Sequence, residues 1–196
     1  MKILDIINQL PRKGQIGIIP KSCIKFICIH HDAIIQKNIN YNAVDLYKRE
    51  AHYHIDVKKR DGLQYHFRID KKGNIYRTRK VTDLLYHASN LSVNTSSVAV
   101  CLDGNFMTEN PTQRQLEGLA GLLKHLMGKL KIKKANIKGH QEVALKGYGT
   151  ACPGKNLMNW LINFRKAEPK PTKKEEAQIK SLIKKFKEYI KSLLGG

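Results

Sequence analysis

The chain has 196 residues, of which 36 are Lys or Arg and 16 are Asp or Glu, so its formal charge is +20. This length predicts one domain with an appendage and is enough to bury a core without disulfides. No apolar run approaches the roughly 18 residues that a membrane span needs, and the first ten residues do not resemble a signal peptide. We therefore expect a protein made in the cytoplasm. Its positive charge indicates a polyanionic partner such as nucleic acid, an anionic membrane surface or an anionic cell-wall polymer.

The first half of the chain contains two predicted helices and three strand-like runs. The first ten residues, MKILDIINQL, predict a short helix. Residues 23–29, CIKFICI, predict a buried strand because β-branched and aromatic residues dominate a run too short for a helix. Residues 42–54 have helical apolar spacing, with Asn42 near the N-cap. Strands at 64–70 and 74–78 follow, separated by the turn sequence KKGN.

The second half alternates strands and helices in the same way. Residues 97–102, SVAVCL, predict another buried strand, and 112–130 predict a long amphipathic helix after Pro111. A short strand at 137–139 and a helix at 156–166 complete the pattern. This order predicts an α/β domain over residues 1–165, with a single mixed sheet flanked by helices.

The composition changes at Lys166. Residues 166–174 contain two prolines and predict a linker, whereas 175–196 predict a basic amphipathic helix. The chain from Lys166 onward has nine basic and four acidic residues, a net +5, so +15 belongs to the first 165 residues. The apolar stripe of the helix has three interpretations: docking on the domain or on a second copy, contact with an anionic membrane, or attachment to anionic wall polymers. The oligomeric state stays open.

Two histidines and one cysteine are candidate metal ligands. His30 directly follows a strand, His140 lies where another strand becomes a loop, and Cys152 lies in the rigid segment GTACPG. Two imidazoles and a thiolate suit tetrahedral zinc and leave a fourth position for a water molecule, which zinc activates for amide hydrolysis. These residues are far apart in the chain, however, and isolated buried His or Cys residues are usually structural. On the residues alone, both interpretations stand.

Four segments occur in an order that is itself informative: FICIHHDA, LQYHFRIDKKGNIYR, YHASNLSVNTSSVAVCLDGNF and IKGHQEVALKGYGTACPG. From about Lys25 to about Trp160, the chain resembles the zinc-dependent N-acetylmuramoyl-L-alanine amidases of the type 2 amidase and peptidoglycan-recognition-protein superfamily, to which many phage endolysins belong. The resemblance implies that superfamily's fold. It also implies hydrolysis of the amide bond between N-acetylmuramic acid and L-alanine in bacterial peptidoglycan.

The resemblance also implies roles for particular residues. His30, His140 and Cys152 correspond to the Zn²⁺ ligands, and Tyr65 and Thr150 to catalytic residues. Thr150 stands where phage members often have lysine, so it would be a neutral hydrogen-bond donor to the developing oxyanion.

Three further residues are weaker candidates. His87 resembles a histidine that lines the substrate groove, and His31 is either a second substrate-binding residue or a packed neighbour of the ligand. Glu142 either orients a metal ligand from behind or is a solvated loop acid. The other cysteines, Cys23, Cys28 and Cys101, are expected to be small core residues.

The sequence is compatible with several functions for such a protein. The first is a phage endolysin that accumulates in the host cytoplasm and acts on the cell wall after release. The others are a bacterial autolysin or recycling amidase, and a catalytically silent peptidoglycan-binding module. A specific nucleic-acid binder is disfavoured because the sequence shows no RNP-like strand, zinc-finger spacing or obvious helix-turn-helix.

Overall fold

A computed structural model of the chain describes residues 1–167, 177–178 and 180–186. Its centre is one six-stranded sheet with the spatial order β1-β4-β3-β5-β2-β6. The strands are β1 (Ile3–Asp5), β2 (Phe26–His31), β3 (Phe67–Ile69), β4 (Ile75–Arg77), β5 (Ser97–Leu102) and β6 (Ile137–Gly139). The β3–β4 pair is antiparallel and the other pairs are parallel. The predicted α/β fold with a single mixed sheet is confirmed.

Within residues 1–167, five α-helices accompany this sheet: α1 (Ala43–Asp56), α2 (Leu91–Asn94), α3 (Gln113–Leu130), α4 (His140–Val143) and α5 (Lys155–Lys166). Asn42 caps α1 as predicted, because its side chain accepts hydrogen bonds from the first backbone N–H groups of the helix. Thr112 and Gln115 form a reciprocal capping box at the start of α3. The two long helices therefore begin at residues whose side chains satisfy otherwise unpaired donors.

The two faces of the sheet carry different chemistry. Ile27 and Ile29 of β2 belong to the main apolar core, which includes residues of α3 and α5. A smaller apolar cluster includes residues of α1. Successive side chains of a strand alternate between faces, so Cys28 and His30 point away from the main core. This alternation places His30 on the α1 side of the sheet, at the carboxyl end of β2.

The helix predicted for the first ten residues is wrong. Residues 3–5 form an edge strand instead, which pairs in parallel with β4, and Ile7–Gln9 form a single 3-10 turn. The side chain of Asp5 pairs with Arg77 across these two strands. A short apolar run has no strong preference of its own, and here the free edge of β4 decides its conformation.

The predicted strand at 23–29 is shifted, because a 3-10 turn occupies Lys21–Cys23 and β2 begins at Phe26. Cys23 is therefore exposed, which makes its assignment to the core wrong. Cys28 and Cys101 are buried, as expected. The strands predicted at 64–70 and 74–78 shorten to three residues each.

The chain divides into two compact units, Met1–Arg165 and Lys166–Gly196. In the second unit, residues 177–178 and 180–186 are helical. The rest of the predicted 175–196 helix, and all but the start of the predicted 166–174 linker, lie outside the described residues. Within the described part of the chain, no helix is both long enough and apolar enough to cross a membrane.

Candidate metal centre

The three predicted metal ligands meet beside the carboxyl end of β2. Ile29 of β2 is paired with Gly139 of β6, so the residues that follow them, His30 and His140, are neighbours at the end of two parallel strands. Their ring centroids are 4.7 Å apart. The Sγ atom of Cys152 lies 3.6 Å from Nδ1 of His30, and the ligand atoms of all three residues lie within 4.8 Å of one another.

The loop that carries Cys152 is held against its neighbours by backbone contacts. Gly154 has a positive φ of 88°, and a Cβ atom there would lie 2.5 Å from the backbone carbonyl carbon of Phe106. Only glycine combines this conformation with so close an approach. The carbonyl of Cys152 also accepts a 2.8 Å hydrogen bond from the N–H of Gln141 in α4. The loop is thereby fixed to the helix that begins with His140.

Two of the three ligands have a hydrogen-bond partner within the protein. Nε2 of His30 lies 3.0 Å from Nδ1 of His87. The backbone of Ala88 favours the protonated form of the His140 ring, which opposes the lowering of its pKa by burial. The backbone N–H of His31 donates to Sγ of Cys152 at 3.4 Å. The contact with His87 orients the His30 ring and leaves its Nδ1 atom for a metal, and the Cys152 sulfur keeps lone pairs for a metal beside its contact with the N–H of His31.

The protonation of these groups follows from their burial. Desolvation is the main cause that lowers the pKa of His30 and of His140, so both imidazoles are neutral near pH 7. Desolvation also raises the pKa of Cys152 to about 12, although the N–H of His31 opposes this shift. A metal ion that binds the sulfur would therefore displace the thiol proton.

This donor set fits zinc. With Zn–N bonds of about 2.0–2.1 Å and a Zn–S bond of about 2.3 Å, tetrahedral geometry requires an N···S separation of about 3.5 Å. The separation observed between His30 Nδ1 and Cys152 Sγ is 3.6 Å. Neutral imidazole nitrogens with a cysteine sulfur are ligands that zinc prefers.

The ligands line a cavity of about 450 Å³ that contains every predicted site residue except Glu142. Its lining consists of His30, His31, Ala33, Tyr65, His87, Asn105, Met107, His140, Thr150, Ala151 and Cys152. A substrate in this cavity would therefore meet the three ligands together with two hydroxyl groups.

Those hydroxyl groups belong to Tyr65 and Thr150. The Tyr65 ring lies 5.3 Å from the His30 ring, centroid to centroid, and burial raises the pKa of its phenol well above 10. Tyr65 is therefore a protonated hydrogen-bond donor at neutral pH. Oγ1 of Thr150 accepts a 3.1 Å hydrogen bond from the N–H of Cys152, which leaves the hydroxyl proton free to point into the cavity.

The weaker candidates have identifiable contacts. Nδ1 of His31 accepts a 3.2 Å hydrogen bond from the N–H of Phe106, so its ring is packed as well as cavity-lining. One carboxylate oxygen of Glu142 accepts from the N–H of Gly139 at 2.7 Å, and both oxygens pair with the guanidinium of Arg165. Glu142 thus holds the backbone that precedes His140.

Sequence reasoning missed a buried charge network behind Tyr65. The guanidinium of Arg68 contacts the carboxylates of Asp32, Glu50 and Asp103, and it lies 5.5 Å from the centre of the Tyr65 ring. The sequence does contain an indication of this network. Arg68 lies between Phe67 and Ile69 in a predicted strand, and a buried cation requires buried counter-charges.

The family model for N-acetylmuramoyl-L-alanine amidases matches residues 20–155. The chain belongs to the N-acetylmuramoyl-L-alanine amidase family. This confirms the resemblance drawn from the four sequence segments, and the matched range contains all three predicted ligands. Family membership supports amidase activity and peptidoglycan as the type of substrate.

Individual relatives come from two kinds of protein. Peptidoglycan-recognition protein SC2 of Drosophila simulans is 29% identical over 139 residues, which are 70% of this chain and 72% of the relative. The endolysin N-acetylmuramoyl-L-alanine amidase LysCS of Clostridium intestinale has a TM-score of 0.67 at 25% identity, covering 85% and 97% of the two chains. Peptidoglycan recognition protein LE, in complex with tracheal cytotoxin, has a TM-score of 0.69 at 23% identity over 82% and 92% of the chains. This last likeness shows the fold alone.

Proposed function

We propose that this family member hydrolyses the amide bond between N-acetylmuramic acid and L-alanine, with zinc held by His30, His140 and Cys152. One observation carries the proposal: these donor atoms converge at the wall of a cavity, where His30 is hydrogen-bonded to His87 through its other ring nitrogen and the sulfur of Cys152 accepts a hydrogen bond from the backbone of His31. A peptidoglycan-binding protein without activity would not need this convergence of ligands.

The chemistry that a bound zinc ion supplies is activation of water and polarisation of the scissile carbonyl. The chain's own residues would do the rest. Thr150 would donate its free hydroxyl proton to the carbonyl oxygen as negative charge develops there. Tyr65, kept protonated by burial, would donate to the same oxygen or orient the attacking water. The water would add its oxygen to the carbonyl carbon, the bond from this carbon to the L-alanine nitrogen would break, and one proton of the water would leave on that nitrogen while the other stays with the new carboxyl group.

We further propose that the biological role is host lysis by a phage endolysin that accumulates in the host cytoplasm. The likeness to an endolysin of Clostridium intestinale supports this role, and the charge of +20 would favour adsorption to an anionic cell envelope. A bacterial autolysin or recycling amidase would use the same site.

A second candidate function is peptidoglycan binding without hydrolysis. It is motivated by the peptidoglycan-recognition proteins among the relatives, one of which was solved with a monomeric peptidoglycan fragment. The intact set of three ligands favours the enzyme.

The C-terminal unit is proposed to add attachment to an anionic membrane surface. Its described helical residues combine the exposed apolar side chains Leu182, Ile183 and Phe186 with nearby lysines. The paired change Leu182→Ser and Phe186→Ser should reduce lysis of whole cells and leave digestion of purified walls intact. Equal effects on both substrates would contradict this role.

The enzymatic proposal is tested by the chemistry of the products. Purified peptidoglycan should gain free L-alanine amino groups and no new reducing sugars. Cys152→Ser should abolish this release and the binding of stoichiometric zinc, whereas Cys23→Ser, which changes an exposed thiol, should alter neither. New reducing ends without new amines would identify a glycosidase, and tight peptidoglycan binding without any product would identify the silent module.

A further inference from the structure

A column of hydrogen-bonded side chains runs from His30 through His87, which also lines the cavity, to Ser97 and the backbone of α2. Nε2 of His30 lies 3.0 Å from Nδ1 of His87, and Nε2 of His87 lies 3.0 Å from Oγ of Ser97. The Ser97 hydroxyl lies 2.6 Å from the carbonyl oxygen of Val93 in α2. All of these groups are buried, so water does not compete for their protons.

The last contact determines where every proton in the column lies. A carbonyl oxygen only accepts hydrogen bonds, so the 2.6 Å contact with Val93 requires the hydroxyl proton of Ser97. The Ser97 oxygen then accepts from His87, whose proton must be on Nε2. A neutral imidazole carries one N–H, so Nδ1 of His87 is an acceptor and takes the proton of Nε2 of His30. The remaining nitrogen of His30, Nδ1, is left with a free lone pair.

We propose that His87 and Ser97 are positioning residues that fix the tautomer and the ring orientation of His30, so that its Nδ1 lone pair points at the metal site. This inference rests on the proposed zinc site. The orientation agrees with the geometry, because Nδ1 is the atom that lies 3.6 Å from Cys152 Sγ.

The carbonyl at the end of the column is held in place by the surrounding segment. The side chain of Asn94 accepts a 2.9 Å hydrogen bond from the N–H of Ala88, next to His87. Asn90 caps α2 and donates to the carbonyl of Val143 in α4, the helix that begins with His140. The segment that orients one proposed ligand is therefore bound to the helix that carries another. Both nitrogens of His87 are used in the column, so a substrate in the cavity would meet only its ring carbons.

The direct test is the ¹⁵N chemical shifts of the imidazoles in the metal-free protein near neutral pH. The column predicts a protonated Nε2 and an unprotonated Nδ1 for both His30 and His87. A proton on Nδ1 of either ring would overturn the inference. This readout does not depend on zinc, so it distinguishes the inference from the proposed function. If the wild type shows the predicted tautomers but binds no zinc, the function fails and the column stands.

Zinc affinity, measured by competition with a chelator, tests the consequence in the full chain. His87→Leu removes the acceptor and should weaken zinc binding about 10- to 100-fold, the usual effect of losing an outer hydrogen-bond partner. His87→Asn places an amide oxygen near the position of Nδ1 and should recover part of this loss. Equal losses in the two variants would mean that the ring acts through packing alone, which would overturn the inference.

Two changes in β5 complete the comparison. Ser97→Ala removes the hydroxyl group that fixes the donor and acceptor at each hydrogen bond of the column. It should therefore change the ¹⁵N chemical shifts of His87 and weaken zinc binding. Val100→Ala lies on the same strand but in the main apolar core, and it should lower the melting temperature without changing zinc affinity. Tight zinc binding that is unaffected by Ser97→Ala, with unchanged ¹⁵N shifts, would overturn the inference while leaving the proposed function intact.

Discussion

The buried charge network behind the site predicts that Arg68→Met is strongly destabilising. Arg68 is fully buried, and its guanidinium contacts the carboxylates of Asp32, Glu50 and Asp103. Removing one partner of a buried ion pair costs about 3–5 kcal/mol, because the other charges are left without compensation. In a domain of this size, each kcal/mol lowers the melting temperature by about 2–4 °C. The expected decrease is therefore about 6–20 °C.

The assay is thermal unfolding followed by circular dichroism at pH 5 and pH 8. Arg77→Met is the matched control, because the Arg77–Asp5 pair is almost half exposed and surface pairs contribute about 1 kcal/mol or less. Burial raises the pKa of Glu50 and of Asp103, so acid should neutralise part of the uncompensated charge and make Arg68→Met less harmful at pH 5. Equal effects of the two substitutions, or a larger loss at pH 5, would refute this account of the network.

Three further predictions concern catalysis, pH and the ligand loop. Tyr65→Phe should lower kcat on peptidoglycan about 10²- to 10³-fold with unchanged zinc content. Tyr53 is exposed, so Tyr53→Phe should not change kcat. Retained activity in Tyr65→Phe would remove Tyr65 from the mechanism. Burial raises the pKa of Glu50 to about 7, above its unfolded value, so the folded state binds this proton more tightly and the contribution of Glu50 to stability should fall by about 3 kcal/mol between pH 4.5 and pH 7. Urea unfolding at several pH values should show this decrease in the unfolding free energy of the wild type relative to Glu50→Gln, because the titrating histidines are common to both proteins; a difference that does not change with pH would contradict it. Gly154→Ala should cost at least about 1–3 kcal/mol, because of its positive φ and because its added Cβ would lie 2.5 Å from the backbone of Phe106, and it should weaken zinc binding. Gly149→Ala, with nothing within 4 Å of its added Cβ, should do neither.

Long periodic elements could be predicted from sequence because their signals are local. The residues that cap α1 and α3 stand at the predicted starts of these helices, and the run at 97–102 forms β5 with the predicted bounds. The conformation of residues 3–5 could not be predicted, because it depends on pairing with β4, more than 70 residues later. The four-residue helix α2 was missed because one turn leaves no periodic pattern.

Some residues of the site could be predicted from sequence and others could not, for the same reason. The positions of His30, His140 and Cys152 were identified through short motifs that resemble those of a known family, and the fold brings these residues together. The Arg68 network was not recognised, because its three carboxylates come from separate elements and nothing in the local sequence pairs them. The proton order in the column behind His30 could not be predicted either, since it depends on a 2.6 Å contact with a backbone carbonyl.

The central claim is that zinc bound by His30, His140 and Cys152 enables cleavage of the muramoyl–L-alanine amide. The most direct measurement is mass spectrometry of purified peptidoglycan after incubation with metal-free protein and with the same protein after addition of one equivalent of zinc. The account predicts intact glycan strands and free stem peptides beginning with L-alanine, and it predicts them only after zinc is restored. The same peptides released by the metal-free protein, or glycan cleavage in either sample, would contradict it.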